Sequence, residues 1–189
     1  MFKYFFVSMF PVDLYVSQLV QANFVVFEPF LKLVSFLGNF APMSIILLIS
    51  LCLFYLNNHK KAGLYLLGGT FVGFIVSTIL KLLVARQRPG ADLVKVYVSL
   101  TDFSFPSTHC TVYVIFFGFL YFYFLHEKKK NTFEKILQTT FLILVLSVGL
   151  SRIYLGAHWF SDVLGGYMLG STILVFILKT LKTAQKNER

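Results

Sequence analysis

Charged residues are scarce in this sequence: Asp, Glu, Lys and Arg make up 13% of its 189 residues, with eight acidic residues in all. An average soluble domain contains about 25% charged residues. Because 57% of the residues are hydrophobic and 23 are phenylalanine, the composition excludes an ordinary soluble domain and indicates an integral membrane protein. The length suits one compact membrane domain, so we expect residues 1–189 to form a single domain.

Metal-binding and disulfide patterns are also absent from the sequence. Cys52 and Cys110, the two cysteines, lie inside apolar runs and are expected to be small buried hydrophobic residues, which excludes a disulfide framework. No cluster of carboxylates is available for Mg²⁺, and no Cys/His set has the spacing of a zinc site. We therefore expect the protein to use no metal and no cofactor.

Four or five apolar segments could span a membrane, taken from 42–56, 62–84, 107–125, 136–155 and 163–178. A span needs roughly 20 apolar residues, so the first and last segments need flanking residues. Between 24 and 37, apolar residues are mixed with Glu28 and Lys32, which predicts an amphipathic helix at the interface that Pro29 kinks or starts. The predicted fold class is all-α: a polytopic membrane helix bundle of five to six transmembrane helices with an N-terminal amphipathic interfacial helix.

The N-terminal stretch MFKYFFVSMFPVDLY has the short apolar run of a signal peptide, but Pro11 and Asp13 interrupt it and no small-x-small cleavage site follows. We expect it to belong to the mature protein. Whether residues 1–20 form a full span stays open, as does the choice between six spans and five spans with a surface helix.

Lysines and arginines give the chain a net charge of +9, and their distribution predicts its orientation. They concentrate in the segments 57–61 and 126–135 and in the tail from 179, which fall on one side of the alternating spans and are therefore expected to be cytoplasmic. This topology accounts for the charge, so we expect no nucleic-acid partner. The opposite side also holds basic residues that need another explanation: Lys81, Arg86, Arg88 and Arg152.

The stretch KLLVARQRP (81–89) is the first of three polar stretches on that outer side. Lys81 and Arg88 are about two helical turns apart, so both could point to one side of a helix that Pro89 ends. Arg86 would face elsewhere, which favours an interfacial or head-group contact.

The stretch PSTH (106–109) is the second, and an apolar helix follows it. Ser107 is a good N-cap, and the start of such a helix offers free backbone N–H groups and a positive dipole end that attract an anion. His109 would lie in the first turn, where a protonated imidazole can donate to a leaving-group oxygen. An ordinary cap with an incidental histidine is the alternative.

The stretch SRIYLGAHWFSD (151–162) is the third. On a helix that begins near Ala157, His158 and Asp162 share one face, and the carboxylate can accept a hydrogen bond that leaves the other ring nitrogen free as a nucleophile. Ser151 could bond a backbone carbonyl or a ligand oxygen. A hydrogen-bonded interfacial histidine and a snorkelling Arg152 are the alternatives.

Together the three stretches suit a phosphoryl group, because its transfer depends on positioning and on neutralisation of negative charge. Their order, K-x6-R-P, then P-S-x-H, then S-R-x5-H-x3-D, resembles the type 2 phosphatidic acid phosphatase superfamily over roughly residues 81–170. The resemblance implies a metal-independent phosphatase in a six-helix membrane bundle. In it His158 would form a phosphohistidine, Asp162 would orient His158, and His109 would protonate the leaving group and later activate water. The phosphate would be held by Lys81, Arg88, Ser107, Thr108 and Arg152.

Thr108 departs from the family pattern, which usually has glycine at this position. Threonine keeps the backbone N–H but, being β-branched, is poorly suited to positive φ. We therefore expect Thr108 to have helical φ and still to donate its amide, with a hydroxyl that adds a contact or narrows the pocket.

A lipid phosphate in the bilayer is the substrate that the resemblance suggests: lipid A 1-phosphate, undecaprenyl pyrophosphate, phosphatidylglycerophosphate or phosphatidic acid. The site would face the periplasm or the outside of a bacterial inner (plasma) membrane, and the short loop between Pro89 and Pro106 favours bulky head groups or mixed specificity. A vanadium-dependent haloperoxidase is an alternative, although those enzymes are mostly soluble. A non-catalytic lipid-phosphate binder or transporter is another, and the presence of both His158 and His109 counts against it. The oligomeric state stays open.

Overall fold

Seven α-helices and one short 3₁₀ helix make up the fold of the computed structural model, which describes residues 9–125 and 131–186. Within these two ranges the chain forms no β-strand, so the predicted all-α architecture is confirmed. The helices are α1 (Pro11–Asn23), the 3₁₀ helix (Val25–Phe27), α2 (Glu28–Leu37), α3 (Phe40–Leu56), α4 (Lys60–Val84), α5 (Thr108–Leu125), α6 (Thr132–Tyr154) and α7 (Phe160–Lys186).

Helices α4 to α7 are long and apolar enough to cross a membrane, and the pair α1–α2 would be a fifth span if its 73° bend is counted within one span. Helix α3 is apolar but shorter, with 17 residues. It begins two residues before the predicted segment, and α7 extends the last segment at both ends, so flanking residues contribute to both as expected. The open question of a full span over residues 1–20 falls partly on residues 1–8, which lie outside the described residues.

Helix α2 corresponds to the predicted amphipathic helix but begins later, at Glu28, after the 3₁₀ helix. Pro29 lies in its first turn, where a missing N–H costs no intrahelical hydrogen bond. Lys32 Nζ lies 2.7 Å from Glu28 Oε1, the i,i+4 pair that the sequence spacing suggests. Location of this helix at the membrane interface stays a prediction.

Helix α5 is the centre of the bundle and packs against α4, α6 and α7. Its residues from Cys110 to Leu120 are all buried, as expected for a helix that is apolar on every side. Cys110 is therefore a buried small residue as predicted, whereas Cys52 is exposed on α3, which corrects that part of the prediction.

Close contact between α7 and α5 depends on two glycines of α7. A Cβ atom at Gly166 would lie 2.6 Å from the carbonyl oxygen of Ser107, and one at Gly170 would lie 2.8 Å from that of Thr111. Neither position has room for a larger side chain, because the clashing atoms belong to the backbone. The contact brings the start of α7 against the start of α5, where the second and third polar stretches lie.

Candidate active site

Lys81 and Arg88 converge, but the chain brings them together by a turn and not by a continuous helix. Helix α4 ends at Val84, and Ala85 has left-handed φ of 51°, so Arg88 belongs to the loop that follows. Lys81 Nζ lies 2.9 Å from Asp102 Oδ2, and Arg88 Nη2 lies 2.7 Å from Asp102 Oδ1. The two predicted phosphate-binding cations therefore share one carboxylate that the sequence reading did not identify.

Arg88 also reaches the predicted nucleophile. Its Nη1 lies 3.2 Å from His158 Nε2 and donates to the carbonyl of Ala157 at 2.5 Å. A guanidinium has only N–H donors, so Nε2 presents its lone pair and the proton of the neutral ring belongs on Nδ1. This tautomer leaves Nε2 as the reactive nitrogen.

The PSTH stretch forms the start of α5, as predicted. Thr108 is the first helical residue, and among the described non-glycine residues only Asn58 and Ala85 have positive φ, so Thr108 has helical φ as expected. Ser107 does not cap the helix with its side chain: its buried Oγ has no hydrogen-bond partner in the described part of the chain. Its backbone N–H instead donates to the Asp162 carbonyl at 3.0 Å, which ties the starts of α5 and α7 together.

Arg152 lies in the last turn of α6, is 1% exposed and donates from Nη1 to Ser35 Oγ at 2.5 Å. Ser151 donates to the carbonyl of Leu31 at 2.5 Å, which is the backbone contact that the sequence allowed. Both partners belong to α2, so the N-terminal helices support the site. This burial corrects the snorkelling alternative, because a snorkelling arginine would reach water or head groups.

Unpaired buried polar atoms collect around the predicted site. Burial of such atoms costs free energy unless they form a hydrogen bond, so a cluster of them is suited to binding a polar group. Among the described residues, four such atoms belong to predicted site residues: Ser107 Oγ, His109 Nε2, Arg152 Nε and His158 Nδ1.

His158 and Asp162 are close, but the predicted hydrogen bond between them is not formed. His158 Nδ1 lies 3.6 Å from Asp162 Oδ2, which is beyond hydrogen-bond distance. The helix begins at Phe160 and not near Ala157, so His158 precedes it. Asp162 Oδ2 accepts the backbone N–H of Trp159 at 2.8 Å instead, a contact typical of an acidic residue in the first turn of a helix.

Arg86 is the largest departure from the sequence reading, which favoured an interfacial contact. Arg86 is 1% exposed, and its guanidinium bridges two carboxylates, with Nη1 2.5 Å from Asp162 Oδ1 and Nη2 2.6 Å from Asp13 Oδ2. Asp13 also accepts the N–H of Ser161 at 2.8 Å and its hydroxyl at 2.9 Å. One available signal was Asp13 itself, because an acidic residue inside an apolar run needs a partner.

A cavity of about 720 Å³ joins these residues. Its polar end is formed by Lys81, Arg88, Asp102, Thr108, His109, Arg152 and His158. The rest of its wall is largely apolar and comes from α3 and α4, including Met43, Leu47, Leu67, Phe71 and Phe74. Of the predicted site residues, Ser107 and Asp162 do not line the cavity and lie behind the others.

The protonation state of His158 leads to the first testable prediction. Burial lowers the pKa of His158 well below its usual range, and the charges of Arg152 and Arg88 lower it further. We therefore expect ¹⁵N NMR of the labelled histidine rings to show a His158 that is still neutral, and protonated on Nδ1, at the usual histidine pKa of about 6.5 and below it. The His158→Ala variant assigns the signal. Titration of that signal near the usual pKa would contradict the prediction.

Comparisons with known proteins agree with this geometry. The sequence profile described as "PAP2 superfamily" matches residues 62–186. A phosphatidylglycerophosphatase B of Bacillus subtilis is 35% identical over 111 residues, which cover 56% of this chain and 50% of the relative. A decaprenylphosphoryl-5-phosphoribose phosphatase of Mycobacterium tuberculosis is 32% identical over 125 residues, which cover 62% of this chain and 60% of the relative. The chain thus spans half to three fifths of the length of these two relatives.

The fold also matches a solved structure. The crystal structure of a transmembrane phosphatidylglycerolphosphate phosphatase of PAP2 type from Bacillus subtilis superimposes with a TM-score of 0.77. The match covers 90% of this chain and 85% of that chain, at 23% sequence identity. At this identity the likeness shows the fold, and with the apolar helices it identifies a membrane protein.

Proposed function

We propose that this chain, which belongs to the PAP2 superfamily, is a metal-independent phosphatase of membrane lipids. It would hydrolyse a phosphomonoester or pyrophosphate of a lipid through a phosphohistidine on His158. The observation that carries this proposal is the polar end of the cavity, where Arg88 contacts His158 Nε2 and Lys81 lines the same end of a largely apolar space.

In the first step, Nε2 of His158 attacks phosphorus and the bond from phosphorus to the leaving oxygen breaks. Lys81, Arg88 and Arg152 neutralise the phosphoryl charge, and the first amides of α5 supply further donors. Protonated His109 gives its proton to the leaving oxygen, so the lipid departs as a neutral alcohol, or as a lipid phosphate when the substrate is a pyrophosphate. The bond that forms is from phosphorus to nitrogen.

In the second step, His109 accepts a proton from water while the water oxygen attacks the phosphohistidine. The bond from phosphorus to Nε2 breaks, inorganic phosphate leaves, and both histidines regain their starting states. Asp162 stabilises the positive charge that His158 acquires during the attack, because its Oδ2 is the carboxylate oxygen 3.6 Å from Nδ1. That pair would shorten as the charge develops.

A lipid substrate is supported by the shape of the cavity. Its apolar wall on α3 and α4 continues from the phosphate-binding end down the bundle, which suits hydrocarbon chains and gives a polar head group one place to bind. Both curated relatives described above are named for lipid phosphates. Phosphatidylglycerophosphate, undecaprenyl pyrophosphate, lipid A 1-phosphate and phosphatidic acid all remain candidate substrates.

The extracytoplasmic face of the inner (plasma) membrane is the location that we propose for the site. Lys60 and Lys61 begin α4, and the site residue Lys81 lies at its other end. Under the positive-inside rule the start of α4 is cytoplasmic, which puts the end of α4 and the loop that follows it on the opposite side.

Phosphate release from a panel of purified lipid phosphates tests this function. We expect release from at least one of the four candidate lipids, with activity that survives EDTA because the mechanism uses no metal. We also expect inhibition by vanadate, which mimics the pentacoordinate transition state. A strict Mg²⁺ requirement would contradict the mechanism, and binding of every lipid without phosphate release would favour the non-catalytic alternative.

A further inference from the structure

Asp102 holds the two cations that the proposed function assigns to phosphate. Its Oδ2 lies 2.9 Å from Lys81 Nζ and its Oδ1 lies 2.7 Å from Arg88 Nη2, so each carboxylate oxygen contacts one cation. Two oxygens of a phosphoryl group would need the same two donors. The carboxylate therefore occupies part of the space in which the substrate phosphate has to bind.

Lys81 is buried and Arg88 is largely shielded from solvent, but the carboxylate is exposed. The Asp102 side chain is 57% exposed, against 8% for the Lys81 side chain and 11% for that of Arg88. Burial alone would raise the pKa of Asp102, but hydrogen bonding to Lys81 and the charges of Lys81 and Arg88 lower it to about 2. The group is thus an anion at any working pH, and its exposure leaves it free to rotate into solvent.

The loop does not depend on this carboxylate for its position. Arg88 Nε donates to the backbone carbonyl of Asp102 at 2.9 Å, and Lys81 Nζ donates to that of Phe103 at 2.5 Å. The backbone of Ser104 donates to the carbonyl of Arg86 at 2.8 Å. Removal of the side-chain charge should therefore leave the loop and both cations near their present positions.

We propose that Asp102 is a built-in competitor for the phosphate-binding cations, which it neutralises in the free enzyme and releases when a doubly charged phosphoryl group binds. The proposal rests on the proposed function of the site. A phosphomonoester or pyrophosphate brings about two negative charges and can replace the carboxylate. The diester head groups of ordinary phospholipids bring one charge at the phosphate and gain little by the exchange. Asp102 would thus make an open, lipid-accessible site selective for terminal phosphates.

Binding of inorganic phosphate to the purified full chain in detergent, followed by calorimetry, tests this role. In Asp102→Asn the carboxylate is replaced by an amide of the same shape, and we expect the Kd for phosphate to fall about tenfold because a like charge near the ligand is removed. Asp102→Glu keeps the charge and should bind phosphate as the wild type does. Asp92→Asn is the matched control, since it removes an exposed acidic residue from the same loop, and should leave the Kd unchanged.

Selectivity is the second measurement. Phosphatidylglycerol in mixed micelles serves as the phosphodiester probe, and its inhibition of lipid phosphate hydrolysis is measured for both proteins. We expect it to inhibit Asp102→Asn several-fold more strongly than the wild type. Should Asp102→Asn fail to purify as a folded protein, Asp102→Ser also removes the charge, keeps the backbone carbonyls and has the same expected results.

The possible outcomes separate the two proposals. If the wild type binds phosphate and the uncharged variant binds it no more tightly, the competitor role alone is overturned. Weaker binding by the variant would show in addition that Asp102 positions the cations. Absence of phosphate binding in the wild type and all variants would overturn the proposed function, and the competitor role with it.

Discussion

Replacement of His158 by alanine is expected to abolish phosphate release while the protein still inserts and folds. Loss of a nucleophile that forms a covalent intermediate reduces kcat by at least about 10³-fold, because no other group can take its place in the reaction. The side chain is 2% exposed, and its Nδ1 has no hydrogen-bond partner among the described residues, so the change breaks no hydrogen bond at that atom. Activity and elution as a folded monodisperse species are measured on the same preparation.

A labelling experiment separates the nucleophile from the general acid. With ³²P-labelled substrate, the wild type should give a transient acid-labile phosphoenzyme, and His158→Ala should give none. His109→Ala should retain label for longer, because the group that activates water in the second step has been removed. His59→Ala, a change on the other side of the membrane by the proposed topology, serves as the control. Labelling of His158→Ala at the wild-type level would contradict the assignment of the nucleophile.

Replacement of Arg86 by methionine is expected to have the second-largest effect, on folding as well as on activity. Arg86 is the shared partner of the buried Asp13 and Asp162, so its loss leaves two close carboxylates without their countercharge. Removal of one partner from a buried ion pair destabilises a protein by about 3–5 kcal/mol. We expect a much lower melting temperature in detergent, a smaller folded fraction and loss of the remaining activity as Asp162 shifts.

Asp13→Asn is a milder change in the same network, and its loss of stability is compared with that of Arg86→Met. This change keeps the Arg86–Asp162 pair and an acceptor oxygen for the N–H of Ser161, so it should cost less stability than Arg86→Met. Combination of the two changes should cost less than the sum of the single effects, because they act on one network. Lys95→Met, which removes an exposed basic residue from the same loop, controls for loss of positive charge. A wild-type melting temperature for Arg86→Met would contradict this account.

Most of the site was predictable because each motif lies at the end of a helix. Local sequence signals position Lys81 near the end of α4, Ser107 before α5 and Arg152 at the end of α6. These signals include a proline and charges at the limits of apolar runs. Helices of similar length that cross the same membrane bring the helix ends that carry these motifs to a similar depth. The convergence of these residues therefore follows from hydropathy and spacing.

The contacts that were missed depend on segments distant in the chain. The environment of Arg86 is decided by Asp13, 73 positions away, and no local periodicity reports such a pair. Asp102 lies in an irregular loop, where the spacing of residues in the sequence does not indicate which way a side chain points. The distance between His158 and Asp162 depends on where α7 begins, and a start at Phe160 in place of Ala157 was enough to remove the predicted hydrogen bond.

Asp13 also bears on which residues a functional fragment of this protein must contain. The PAP2 profile begins at residue 62, yet Asp13 on α1 and Ser35 on α2 contact Arg86 and Arg152 within the site. A gene fragment cut to the profile limits would encode every motif residue and still leave two buried arginines without these partners. Shortened or recombined forms of this protein should therefore keep the segment from Pro11 to Leu37 together with the motifs that it supports.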